Sequence, residues 1–356
     1  MDEYGSNTRS NNNGKDAKFV VPGVPYEKLD DRDSIDKFSQ LNDPESLFKR
    51  AIRRETMVIF FLLVGFYVIS TLVDGIVTII SQTFTWEVNG STAIPDAISE
   101  ADSVNVGLIS ILGMAAGMLL FLALRGKRLF TTDITDTRDK MQAGLFIKLY
   151  VVAMGAQLIF GIVSTAVEYI LSRFGLSALT LYEASMNALI TPLGLLYAML
   201  LGPIMEEIIF RGAIMKQLER FGANYAIVIS SLIFALYHLF VFQAVFAFFV
   251  GIILAYTAHK YSLKWSMLLH ILINSSALGL ESVLGENLFS VLMLAFLIAA
   301  IVILAKNRHI IKTQIAAGKP VMPHAFKYAF SGGFMIAMFV IFVAVNTGII
   351  SFSSNP

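Results

Sequence analysis

An all-α, polytopic bundle of about nine membrane spans is the fold this sequence predicts, and three observations carry the prediction. Of its 356 residues, 56% are hydrophobic and only 15% charged, with a mean hydropathy of +0.69. A soluble domain carries roughly 25% charged residues. Apolar stretches near the length of about 20 residues that crosses a bilayer core recur along the chain. Finally, Lys and Arg alternate from one side of these stretches to the other, as short loops of membrane proteins do.

Taken in order, residues 1–40 are rich in Asn, Asp, Ser and Gly and read as a disordered tail. The region 1–48 is thus a polar cytoplasmic tail with an amphipathic start, and it lacks the apolar core of a cleavable signal peptide. "NDPESLFKRAIRRE" begins a short amphipathic helix at Pro44 that lies against the membrane surface. Spans are predicted at 57–83, 104–124, 144–171, 187–213, 223–240, 242–258, 265–284, 288–305 and 327–351. They group as N-terminal helices (57–171), a central core (187–284) and C-terminal helices (288–351).

The least obvious boundary splits the apolar stretch 223–258 at "HLFVFQ". Loop charge supports the split. "FKRAIRR", "RGKR" with "TRDK", "MKQLER", "HKYSLK" and "KNRHIIK" fall on one side, and the intervening loops contain a single basic residue, Arg173. The alternation holds with nine spans, N-terminus cytoplasmic and C-terminus outside; merging 223–258 would break it. "KRAIRR" reads as a positive-inside anchor near anionic lipid. The Phe-rich run "FVFQAVFAFF" reads as lipid-facing packing.

Composition also excludes functions. The chain has no cysteine, which removes disulfides, thiolate metal sites and cysteine nucleophiles. Net charge is +1 and no basic stripe follows any helix, so nucleic acid is not an expected partner. The expected partners are the lipid bilayer and a peptide or membrane-protein substrate; oligomeric state is not legible.

Ionisable residues inside a span are costly and call for partners. "GPIMEEIIFRG", residues 202–212, holds Glu206, Glu207 and Arg211. Glu207 and Arg211 are four apart on one helical face, so a salt bridge is expected. Glu206 is rotated about 100° away and points elsewhere. Pro203 cannot donate to the carbonyl of Met199 and should bend the helix. "FALYH" puts Phe234 and His238 at i and i+4, and "HILIN" does the same for His270 and Asn274. At 1.5 Å per residue, Glu206 lies ~21 Å from Arg220, His238 ~22 Å from Ala223 and Asn274 ~15 Å from Lys264. Three helices can therefore present these groups at similar depth. Such a set suits amide hydrolysis: a carboxylate to activate water, an imidazole to share the proton, and donors for the tetrahedral oxyanion. The same set also fits a buried polar network or an ion path.

Here the residues resemble a known family. "PIMEEIIFRG" matches the EExxxR motif, "FALYH" the FxxxH and "HILIN" the HxxxN/D of the CPBP intramembrane proteases, the CAAX prenyl endopeptidase and Abi, bacteriocin-processing, group. All three occur in order, on the spans where that family's eight-helix core carries them, and the likeness covers roughly 187–280. The resemblance implies an endopeptidase with Glu206 and His238 as the water-activating pair and His270 and Asn274 as oxyanion stabilisers. Glu207 and Arg211 would support the site, with Phe234 packed beside it. The family is often labelled metalloprotease, and two Glu and two His match zinc by ligand type, with Glu206, His238 and His270 the ligands if a metal is needed. No HExxH pair is present and Asn is a poor zinc ligand, so a metal-free glutamate mechanism is expected and no cofactor is assigned. Serine (GxSG) and aspartyl (GxGD) signatures are absent.

Within the family the alternative is a non-catalytic immunity or scaffold protein, as in bacteriocin self-immunity; a proton- or ion-coupled transporter is a third class. A bacterial plasma membrane is the expected location, with a bacteriocin, pheromone or membrane-protein substrate there, or a prenylated CAAX protein in a eukaryote. Asp74 is expected at a helix interface and Glu168 near the outer boundary, neither with a role in chemistry. His259, His309 and His324 are read as surface residues of basic cytoplasmic loops. The tail, the 84–103 loop and the ninth span carry no assigned role.

Overall fold

The computed structural model describes residues 44–89, 100–127, 137–349 and 351–352, with positions 129, 131 and 134. The predicted tail falls outside these, except for its last residues. The chain divides into a unit Met1–Arg50 and a unit Ala51–Pro356. Of the first, residues 44–50 are described and are helical.

Helix α1 runs Pro44–Asn89, α2 Glu100–Arg125 and α3 Ala143–Ser172. The amphipathic start is not a separate surface helix: α1 is continuous for 46 residues. After Pro44 no proline interrupts it, so helix propagation carries through the expected boundary. Between α3 and the core lie a two-residue strand, β1 (Leu176–Ser177), and α4 (Thr180–Ala188). The fourth predicted span therefore starts late, at Pro192, and continues to Phe221 as α5, with local changes of helix type. Then come α6 (Ala223–Tyr237), α7 (Val241–Lys260), α8 (Leu263–Leu284), α9 (Glu286–Ala317), α10 (Ala325–Phe330) and α11 (Phe334–Ile349). Strand β2, Ser351–Phe352, pairs antiparallel with β1.

Seven of these helices are long and apolar enough to cross a membrane. Two more predicted spans appear as shorter apolar helices, Ala223–Tyr237 and Phe334–Asn346. At fifteen residues α6 is about 22 Å long, short of the hydrocarbon thickness and three residues shorter than the predicted 223–240 span. The split of 223–258 holds. α6 ends at Tyr237, and Leu239 adopts φ 60, a left-handed conformation rare outside glycine. Glycine makes the tighter turn between α5 and α6: Gly222 has φ +118, and a side chain there would meet Pro320 Cα at 2.7 Å.

Large apolar side chains on the outer faces stand open, among them Ile79, Ile170, Val291 and Ile298. An apolar exterior of this extent belongs in lipid. The chain is an integral, multi-pass helical membrane protein.

Inside, small residues let helices approach. α3 packs along α9, where a Cβ on Gly155 would lie 2.7 Å from Ala300 Cβ and 2.9 Å from the Phe296 carbonyl. Gly155→Leu should therefore lower stability by about 1–3 kcal/mol, visible as a lower thermal midpoint in detergent. Around this contact Ala153 and Met154 of α3, Val250 and Leu254 of α7, Leu269 and Ile273 of α8 and Met293 of α9 form one core. α7 also pairs with α6 and α8, and α8 packs on α5, so the three motif-bearing helices share one interior.

At one end of the bundle the buried Glu55 of α1 accepts from Gln217 Nε2 at 2.9 Å and is ion-paired with Arg220. That acid had no sequence signal, since it sits among the basic residues of "KRAIRRE". Glu168 accepts from the Ala178 amide at 2.9 Å. Asp74 lies against Gly113 of α2, the helix interface expected for it.

Candidate active site in the α5–α8 interior

α5 is irregular where it matters. Thr191 accepts from the Gly194 amide at 3.1 Å and caps its start, with Pro192 in the first turn. Tyr197–Leu201 and Ile208–Met215 are π-helical, on either side of α-helical Gly202–Glu207. Pro203 removes one N–H from the ladder, and the widened turn directly precedes it. Helix α8 attends to that turn. Asn274 Nδ2 donates to the Ala198 carbonyl at 3.1 Å, and Ser275 Oγ lies 3.5 Å from the Met199 carbonyl that Pro203 cannot serve.

The expected ion pair forms: Arg211 Nη1 lies 3.2 Å from Glu207 Oε1, with both side chains fully buried. Arg211 Nη2 donates to the Gly251 carbonyl at 3.2 Å, and the guanidinium stacks 4.2 Å from the Phe234 ring centre. Its Nε and Nη1 have no aligned acceptor, so Coulombic attraction and stacking hold it more than hydrogen bonds do. Ser266 Oγ lies 2.5 Å from Glu207 Oε2 and 2.9 Å from the Leu254 carbonyl, and its one proton serves either acceptor.

His270 lies between the two glutamates. Its Nδ1 is 3.0 Å from Glu207 Oε1 and its Nε2 is 3.6 Å from Glu206 Oε2. A carboxylate paired with arginine can only accept, so Nδ1 carries a proton toward Glu207.

His238 occupies the C-cap of α6, where terminal carbonyls lack intrahelical donors. Its Nδ1 lies 2.8 Å from the Phe234 carbonyl, which cannot donate, so this nitrogen carries the proton. In the neutral ring Nε2 is then a free base. Both imidazoles stand edge-on to Phe234, at 4.6 Å for His238 and 5.8 Å for His270. Phe234 is thus the hub, with Arg211 on its face and the two histidines at its sides. Glu206 keeps 13% side-chain exposure where Glu207 has none. Among the described residues no hydrogen bond joins Glu206 to His238, although the two are within electrostatic reach.

Two groups were missed. Ser266, one turn before His270 on α8, could have been found as an i, i+4 partner. Tyr67, Tyr197 and Tyr237 lie within electrostatic reach of Glu206, and the Tyr67 hydroxyl donates to the Tyr237 carbonyl at 2.5 Å. These come from three helices, and no spacing rule links them. One reading needs correction. His259 is not a plain surface residue: its Nδ1 lies 2.7 Å from Glu219 Oε1, and Arg138 Nη2 donates to Glu219 Oε2 at 2.9 Å.

A zinc site needs its donors about 2 Å from one point. Among the described residues no group of three or more His, Asp or Glu could hold a metal. The set Glu206, His238 and His270 does not fit zinc as arranged.

Fold and site together define a multi-pass helical membrane protein with a buried carboxylate–imidazole network. Residues 187–276 match the Rce1-like family, described as type II CAAX prenyl endopeptidase Rce1-like. The match supports the CPBP family for the chain and, at the level of the family, an endopeptidase of the CAAX type. No curated protein and no solved structure matches the chain.

Proposed function

We propose that this protein is a metal-independent intramembrane endopeptidase in which Glu206 activates water. The observation that carries the reading is the division of labour between adjacent acids: Glu207 is saturated by Arg211, Ser266 and His270, while Glu206 has a partly open carboxylate next to His270. A water between Glu206 and His238 Nε2 would give one proton to Glu206 as its oxygen bonds to the scissile carbonyl carbon. Glu206 would return that proton to the leaving nitrogen as the C–N bond breaks. Asn274 uses one Nδ2 proton on Ala198, and the second remains for the oxyanion. His270, an oxyanion donor by the sequence reading, has both nitrogens facing carboxylates, so the oxyanion role falls to Asn274.

The substrate is a membrane-associated protein or peptide, and the family description makes a farnesylated CAAX peptide the first probe. With a quenched-fluorescence version in detergent or proteoliposomes, wild type should cleave and Glu206→Gln should not. Equal cleavage, or equal biological activity of the two, would hand the chain to the non-catalytic immunity or scaffold reading. Chelation with EDTA or phenanthroline should leave the rate unchanged; loss restored by added zinc would overturn the metal-free mechanism.

A further inference from the structure

The last helix, α11, lies outside the region 187–276 that matches the family, yet it reaches the turn that carries His238. Asn346 Oδ1 accepts from the Val241 amide at 2.8 Å, and Asn346 Nδ2 donates to the Leu239 carbonyl at 2.5 Å. The second Nδ2 proton serves the Phe342 carbonyl of its own helix at 2.8 Å. One side-chain amide thus spends both donors and an acceptor, and two of these bonds bracket the turn.

That turn needs holding. Leu239 sits at φ 60, a strained conformation for leucine that persists only where surroundings impose it. It follows directly on His238 and links α6 to α7. Relaxation of Leu239 would unwind the C-cap that fixes the His238 ring, whose Nδ1 is bound to Phe234. Packing supports the same contact, since Phe342 of α11 joins Ala235, Leu236 and Ala244 in a small buried cluster.

We infer that Asn346 is a positioning residue for His238: through the Leu239 turn, α11 holds the imidazole at the site. The inference rests on the endopeptidase reading for its catalytic consequence, but the clamp itself can be read without catalysis. Asn346→Leu keeps the side-chain size and removes all three bonds. In the intact protein, deuterium exchange at the amides of 239–242 should rise several-fold, with exchange around His270 unchanged. With the farnesylated peptide, kcat should fall about tenfold and KM should change less than twofold, the loss of a geometry needed only in the transition state. Phe342→Ala, which loosens the packing of the same helix and leaves the amide in place, should lower the thermal midpoint while kcat holds.

Unchanged exchange at 239–242 overturns the clamp. Raised exchange with kcat unaltered, or an equal loss of kcat in Phe342→Ala, overturns the positioning role. If wild type shows no Glu206-dependent cleavage, the endopeptidase reading has failed and the positioning role with it, whereas the exchange result still tells whether Asn346 clamps the turn.

Discussion

Glu206→Gln should lower kcat by about 10²–10⁴-fold, the usual contribution of a positioned general base, with the protein still folded and monodisperse. Glutamine keeps the size and polarity of the side chain but cannot take a proton from water. The fold should tolerate the change because Glu206 has no buried cation bound to it as Glu207 has; its contact with His270 is 3.6 Å, longer than a hydrogen bond. KM should move little, since the lost interaction belongs to the transition state. Single-turnover rates together with size-exclusion profiles of the two proteins test this. A kcat within a few-fold of wild type would remove Glu206 from the chemistry and with it the proposed function.

Arg211→Met should do the reverse, acting first on stability. Removal of one partner leaves the fully buried Glu207 carboxylate without its cation, a loss of about 3–5 kcal/mol. The stacking on Phe234 and the bond to Gly251 go with it. Lysine should rescue poorly, because a point charge neither stacks on Phe234 nor reaches two acceptors as a planar fork does. The double variant Glu207→Met/Arg211→Met should recover much of the loss, since no orphan charge remains. Thermal midpoints of wild type, Glu207→Met, Arg211→Met and the double variant in one detergent complete the cycle. Additive losses would mean that the two side chains do not act as a pair.

Much of this site was legible because helical spacing is local. Glu207 and Arg211 are four residues apart in sequence, and no distant element is needed to make them neighbours. The split at "HLFVFQ" was legible from loop charge, which reports topology without packing. The length of α6 was not, because apolar composition continues past Tyr237, and only the backbone turn at Leu239 marks the end. His270 shows the limit most clearly. Its spacing to Asn274 put both on one face of α8, but its contact with two glutamates depends on how far α8 is rotated against α5.

Sequence by itself determined the class of protein, the helix order and the groups available for chemistry, because hydropathy, charge and the 3.6-residue period act within single segments. Tertiary structure alone decided which nitrogen meets which oxygen. It set Glu207 as the saturated acid, left Glu206 partly open, enlisted Ser266 and the three tyrosines, and brought Asn346 to the turn beyond His238. The physical reason is that a partner across a helix interface is chosen by rotation and close approach between elements far apart in the chain, and no residue spacing encodes that.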